Sequence, residues 1–175
     1  MNRLYPPTLE DIPISNKNPS FTDLLRSPTL LLAFGFGSGL APKAPGTFGT
    51  VAAIPLWLLL CKLPLSLYWA VVAISAIAGI YICGRASSKL GVHDHSGIVW
   101  DEFVGLWIAL AFIEPQLTSI IVGFLLFRFF DIVKPWPISW LDKQVGAGIG
   151  IMIDDVVAGV FAAIVLSVIS NLGFL

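Results

Sequence analysis

Charged residues are scarce in this chain of 175 residues: Asp, Glu, Lys and Arg make up 12% of it, whereas 57% is hydrophobic. Average soluble domains carry about 25% charged residues, so roughly half the charge of a water-facing surface is missing. A membrane protein explains this composition and the mean hydropathy of +0.88. The net charge is −1 and no basic face interleaved with aromatic residues is evident, which argues against nucleic acid as a partner.

Cysteine is also scarce. Cys61 and Cys83 are the only two, and each lies inside an apolar run. They do not form a CxxC pair, so a metal knuckle or a redox motif is not indicated. We expect both thiols to be buried and structural.

The N-terminal residues are polar and proline-rich, and they lack the basic-then-apolar order of a signal peptide. We expect residues 1–20 to form a polar, poorly ordered arm. The length permits one further unit, so residues 21–175 are predicted to form a single membrane-embedded domain.

Five apolar runs are long enough for membrane helices, which need about 17 to 25 residues. These runs are residues 47–63, 65–84, 98–113, 117–133 and 151–172. A sixth, residues 28–40, is short and interrupted by glycines, which predicts a re-entrant or interfacial segment that lines a site. The predicted fold is therefore an all-α polytopic bundle of about five membrane helices plus this broken segment.

The basic residues indicate an orientation, because cytoplasmic loops carry an excess of Lys and Arg. With alternating spans, only Lys62 falls on one side. The other side, predicted to be cytoplasmic, receives Lys43, Arg85, Lys89, Lys134 and Lys143.

Acidic residues stand at the cytoplasmic ends of three predicted spans: Asp101, Glu102, Asp131, Asp154 and Asp155. Those in the first turn of a helix are favoured by its dipole, by about 0.3–1 kcal/mol. Asp131 instead lies at a C-terminal end, where the dipole disfavours an anion. Arg128 precedes it by three residues, so an internal ion pair is one explanation. A metal and phosphate site is the other.

This set of five carboxylates predicts a binding site for a divalent cation. Mg²⁺ prefers hard oxygen ligands and is often held by one or two carboxylates with substrate phosphate, and this donor set favours Mg²⁺ or Mn²⁺ over zinc. The metal would activate a water and neutralise phosphoryl charge. All five acids are candidate metal ligands, and the candidates for catalysis are Asp101, Glu102, Asp131 and Asp155.

A glycine-rich stretch, "GFGSGLAPKAPGTFGT" over residues 35–50, predicts a phosphate cradle. Glycines let the backbone present N–H groups to an anion. Gly35 and Gly49 could equally serve close helix packing. The candidate phosphate-binding residues are Gly39, Lys43, Gly46, Thr47, Arg128 and Lys134.

The loop "GVHDHSG" precedes the first acidic pair and contains His93, Asp94 and His95. A general acid–base or orienting role is predicted for His93 and Asp94. Zinc ligation by the histidine pair lacks further soft ligands.

Other phosphatase chemistries are disfavoured because their sequence motifs are missing. There is no C-x5-R, no D-x-D-x-[TV] and no Ser-Gly-His, which leaves a metal-activated water, which we favour, or an Asp nucleophile. A cation-coupled transporter remains an alternative, although no internal repeat is evident. A phosphatidyl-transferring enzyme is disfavoured because no Asp-Gly occurs.

Four blocks together resemble the phosphatidylglycerophosphatase A family: "GFGSGLAPKAPGTFGT", "GVHDHSGIVWDEFVG", "FRFFDIVKPWPI" and "GIGIMIDDVVAG". The resemblance runs from about Leu32 to the C-terminus. It implies a Mg²⁺-dependent phosphomonoesterase that converts the phospholipid phosphatidylglycerophosphate to phosphatidylglycerol at the cytoplasmic face of the bacterial inner membrane. A homo-oligomer is left open.

Overall fold

A computed structural model describes residues 18–92, 95–136 and 147–175, and these ranges are helical without a strand. The predictions made for residues 1–17, His93, Asp94 and Lys143 lie outside them. The α-helices are α1 (Phe21–Leu25), α2 (Pro28–Ala33), α3 (Pro45–Leu60), α4 (Leu65–Leu90), α5 (Trp100–Ala109), α6 (Leu117–Val133) and α7 (Ala147–Asn171), with a 3-10 helix over Gly35–Leu40.

Helix α5 is the centre of the bundle. All of its residues except Asp101 are buried, and α3, α4, α6 and α7 all pack against it. A helix that is apolar all round belongs in a core, and ten residues extend only about 15 Å. The predicted span over residues 98–113 is therefore a short core helix, too short to cross a bilayer unaided.

Two glycines let α5 and α7 approach closely. A Cβ at Gly159 would collide with the carbonyl oxygen of Gly105, and a Cβ at Gly105 would lie 2.8 Å from the carbonyl oxygen of Asp155. Gly105 follows Asp101 by four residues, and Gly159 follows Asp155 by four. Residues four apart share a helix face, so the contact that joins the helices also turns these two acids toward one another.

Among the residues that the structure describes, two helices have the length and composition to cross a membrane: Leu65–Leu90 and Gly148–Asn171. Helices α3 and α6 are apolar but shorter, with 16 and 17 residues. Helix α4 continues six residues beyond its predicted end at residue 84. Its last turn carries Lys89, which the helix dipole favours. The residue after the helix, Gly91, has a left-handed backbone with φ 65°.

The short segment before α3 is broken, as its glycines predicted. Phe36 and Gly37 both have positive φ inside the 3-10 helix. The Val99 N–H donates to the Ala33 carbonyl at 2.8 Å, which ties this segment to the start of α5. The two thiols differ: Cys83 is buried, as predicted, whereas Cys61 is half-buried.

Candidate functional site

A cavity of about 340 Å³ lies where α3, α5, α6 and α7 meet at one end of the bundle. The five predicted carboxylates all line it: Asp101, Glu102, Asp131, Asp154 and Asp155. They come from three helices that are separate in sequence. The predicted clustering of these acids is thus present in the fold.

Two basic side chains bridge the acids. The Arg128 Nη1 atom lies 3.0 Å from Glu102 Oε1 and 2.7 Å from Asp131 Oδ2, with all three side chains largely buried. The Lys134 Nζ atom lies 2.6 Å from Asp154 Oδ2. The predicted Arg128–Asp131 ion pair is present, and Arg128 also contacts Glu102 of α5. The two basic residues therefore join α5, α6 and α7 around the cavity.

The acids of α7 lie deeper in their helix than predicted. The sequence placed them in the first turn, but α7 begins at Ala147 and has no acid in its first turn. The dipole effect falls off within one turn, so it does not account for Asp154 and Asp155. Both are buried, with 6% and 3% of their surface exposed, and buried charges need a partner or a metal.

The carboxylate oxygens that are buried without a hydrogen-bond partner in the described part of the chain include Asp101 Oδ1, Glu102 Oε2 and Asp155 Oδ2, all from residues that line this cavity. Unsatisfied hard oxygens in an acid-rich cavity match the preference of Mg²⁺. Within residues 18–92, 95–136 and 147–175, no three acids, histidines or cysteines are arranged to hold an ion by themselves. A Mg²⁺ ion here would therefore have to take part of its coordination from waters and substrate phosphate, as it usually does in proteins.

The glycine-rich stretch contributes through close approach to Glu102. A Cβ at Gly46 would collide with Glu102 Oε1, and a Cβ at Gly49 would lie 2.5 Å from Glu102 Oε2 and 2.6 Å from Val99 Cβ. Gly46 lines the cavity. The packing role left open for Gly49 is therefore the one the structure has, and the same is true of Gly35, which lies against Phe103 and Val99.

Of the other predicted phosphate-binding residues, some line the cavity and some do not. Arg128 and Lys134 line the cavity. Lys43 is exposed and Thr47 half-buried, and neither is among the described residues that line it. Gly39 instead lines a neighbouring cavity.

Two of the residues that line the cavity have a strained backbone. Ala44 and Lys134, both lining residues, adopt left-handed φ values of 48° and 45°. This conformation costs a residue with a side chain about 1–2 kcal/mol, and such strain often marks functional sites. Ala44 immediately precedes α3 and Lys134 ends α6, so both lie at points where the chain turns toward the acids.

Sequence reasoning missed some lining residues, among them Ala44, Ser96 and Gly150. Ser96 carried no signal apart from its polar neighbours. Gly150 precedes the acids of α7 by one turn, and its role depended on a helix start that the sequence did not reveal.

The chain is similar to known proteins along most of its length. A family model described as "Phosphatidylglycerophosphatase A" matches residues 31–170. The chain belongs to the phosphatidylglycerophosphatase A family. Phosphatidylglycerophosphatase A of Escherichia coli is 49% identical over 148 residues, covering 84% of this chain and 86% of the relative. That of Haemophilus influenzae is 46% identical over 156 residues, covering 87% and 95%.

A third relative has a different name. A protein of Bacteroides thetaiotaomicron, described provisionally as a phosphatidylinositol-3-phosphatase, is 39% identical over 160 residues, covering 87% of this chain and 96% of the relative. No solved structure matches. The family and the two long apolar helices indicate association with a membrane, and these findings give no support to the transporter alternative.

Proposed function

We propose that this protein is a lipid phosphomonoesterase that hydrolyses phosphatidylglycerophosphate to phosphatidylglycerol and inorganic phosphate. Membership of the phosphatidylglycerophosphatase A family supports this substrate. The main structural support for the proposed chemistry is that five carboxylates, an arginine and a lysine line the same cavity. Basic groups suit the phosphoryl oxygens, and carboxylates suit a divalent cation and proton transfer.

The proposed reaction breaks the bond between the terminal phosphorus and the glycerol oxygen, while a water oxygen forms a new bond to phosphorus. Arg128 and Lys134 bind the phosphoryl oxygens and stabilise the charge that develops on them. Asp101 or Asp155 accepts the proton that the water loses, since each has a buried carboxylate oxygen without a described partner. The leaving glycerol oxygen takes up a proton, and His93 and Asp94 remain candidates for supplying it.

We propose Mg²⁺ as the cofactor, with the five acids as its candidate ligands. When bound, it would lower the pKa of a water and neutralise phosphoryl charge. We favour a metal-activated water over an Asp side chain as the group that attacks phosphorus.

We further propose a multi-pass arrangement in the inner membrane with the cavity at the cytoplasmic face. Helices α4 and α7 cross the bilayer, α3 and α6 accompany them, and α5 remains within the bundle. This arrangement places the exposed Lys43 and Arg85 on the side favoured for basic residues.

The test is phosphate release by the purified protein in detergent micelles containing phosphatidylglycerophosphate. Wild-type protein is expected to release phosphate with Mg²⁺ and to stop when a chelator is added. Asp101→Asn and Asp155→Asn are each expected to lower kcat by roughly 10²–10⁴-fold, as removal of a general base does, while the thermal unfolding midpoint stays near or above the wild-type value.

Glu114→Gln is the matched control, because Glu114 is exposed at the opposite end of α6 from the cavity. It is expected to leave turnover unchanged. Wild-type turnover in both Asp variants would refute the carboxylate assignment, and chelator-resistant turnover would refute the metal. No phosphate release from phosphatidylglycerophosphate by wild-type protein would refute the substrate.

A further inference from the structure

A second cavity, of about 380 Å³, lies beside the acid-rich one. The two cavities share Pro45 and Ser96 as lining residues. One side of the second cavity is the end of the 3-10 helix with the residues after it, and the opposite side is the loop that leads into α5. The two cavities are therefore neighbouring compartments that meet at the start of α3.

The walls of the second cavity are fixed by backbone contacts. A Cβ at Gly39 would collide with the Gly97 carbonyl oxygen, so the two loops touch directly. The Gly97 N–H donates to His95 Nδ1 at 3.0 Å, and the His95 ring packs against Phe34 with 5.4 Å between ring centroids. These contacts give the second cavity a defined shape that includes a histidine.

The two cavities differ sharply in charge. Five carboxylates line the first, whereas no acidic side chain is among the described residues lining the second. The polar groups of the second include Asn18, Ser96 and His95. The His95 Nδ1 atom accepts the Gly97 N–H, so the loop backbone fixes the orientation of this ring at the cavity. An anion that would be repelled from the first cavity without a metal meets no such charge in the second.

Resting on the proposed function, we propose that the second cavity binds the glycerol and the phosphodiester of the lipid headgroup. Phosphatidylglycerophosphate carries two phosphates joined by a glycerol: the terminal monoester reacts, and the diester remains in the product. The acid-rich cavity takes the monoester, and the acid-free cavity takes the diester. The second cavity thus selects lipids that carry a second phosphate beyond the reacting one.

The test uses variants that alter only the second cavity. Asn18→Asp adds a negative charge at its edge with almost no change in shape, and Ala41→Leu reduces its volume; both residues line the second cavity and not the first. The matched control is Asn171→Asp, which makes the same change at an exposed position at the end of α7. Neither test residue belongs to the proposed catalytic machinery.

The readouts are the KM and kcat for phosphatidylglycerophosphate and the inhibition constant of inorganic phosphate, which needs only the first cavity. Asn18→Asp and Ala41→Leu are each expected to raise the KM by about fivefold or more. The kcat and the inhibition constant of phosphate are expected to stay within about twofold of wild type, as are all values for Asn171→Asp.

The outcomes separate the two proposals. An unchanged KM in both variants, or a rise in KM matched by an equal rise in the phosphate inhibition constant, would overturn the second-cavity assignment while phosphatidylglycerophosphate hydrolysis stands. If Ala41→Leu unfolds, the isosteric Asn18→Asp decides alone. Failure of the wild-type protein to hydrolyse the lipid refutes the proposed function itself.

Discussion

Ala44 and Gly46 lie two residues apart at the start of α3, and we expect exchanges between alanine and glycine to have opposite effects at the two positions. Ala44 has a left-handed backbone, with φ 48°, which a glycine would adopt more easily. We expect Ala44→Gly to leave the free energy of unfolding unchanged or to raise it by up to about 1 kcal/mol, since relief of strain offsets the added chain entropy. The measurement is thermal unfolding in detergent.

The reverse substitution at the second position, Gly46→Ala, is expected to lower both stability and turnover. Its added Cβ would collide with Glu102 Oε1, a carboxylate that Arg128 already holds. Overpacking costs about 1–3 kcal/mol, and a displaced site group can lower turnover by roughly 10²-fold. If Gly46→Ala kept wild-type stability and turnover, the tight fit of this loop against Glu102 would be wrong.

At the scale of elements, Arg128 joins α6 to α5. It contacts Glu102 and Asp131, and each of the three side chains is no more than 14% exposed. Arg128→Ala leaves two buried carboxylates without their cation, and removal of one partner from a buried pair costs about 3–5 kcal/mol. We expect this loss of unfolding free energy together with loss of phosphate release.

Replacing the whole group distinguishes stability from chemistry. The uncharged combination Arg128→Met, Glu102→Gln and Asp131→Asn should recover most of the lost stability, because buried ion pairs are often replaceable by neutral groups. It should remain inactive, since the phosphate-binding cation and two carboxylates are gone. A triple variant as unstable as Arg128→Ala would show that the three charged groups stabilise the fold beyond neutralising one another.

The elements also show how far the sequence could predict the fold. Apolar runs located α3, α4, α6 and α7, because hydropathy is a local property of the chain. They could not reveal that α5 is a ten-residue core helix, since lipid and protein interior favour the same side chains. The acids were predictable as a cluster, and the Arg128–Asp131 pair followed from its spacing of three residues. The pairing of Arg128 with Glu102 and of Lys134 with Asp154 depended on helix packing. The start of α7 at Ala147 and the second cavity had no local sequence signal.

At the scale of the whole molecule, the two ends of the bundle differ in charge. The acid-rich cavity lies near the N-terminus of α3 and the C-terminus of α6, whereas Glu114 precedes the N-terminus of α6. A 17-residue helix is about 25 Å long, which separates these ends by most of a bilayer core of about 30 Å. The proposed orientation therefore predicts that Lys43 and Glu114 face opposite aqueous compartments.

Single cysteines can test this prediction. In a background with Cys61→Ala and Cys83→Ala, Lys43→Cys and Glu114→Cys place one thiol at each exposed position. A membrane-impermeant thiol reagent applied to intact spheroplasts is expected to label Glu114→Cys at once and Lys43→Cys only after the membrane is opened, because basic loops are retained on the cytoplasmic side. Labelling of both in intact spheroplasts would mean that α6 does not separate two compartments. The reverse order would put the site on the outer face, where a lipid made on the cytoplasmic side would have to cross the bilayer before it could react.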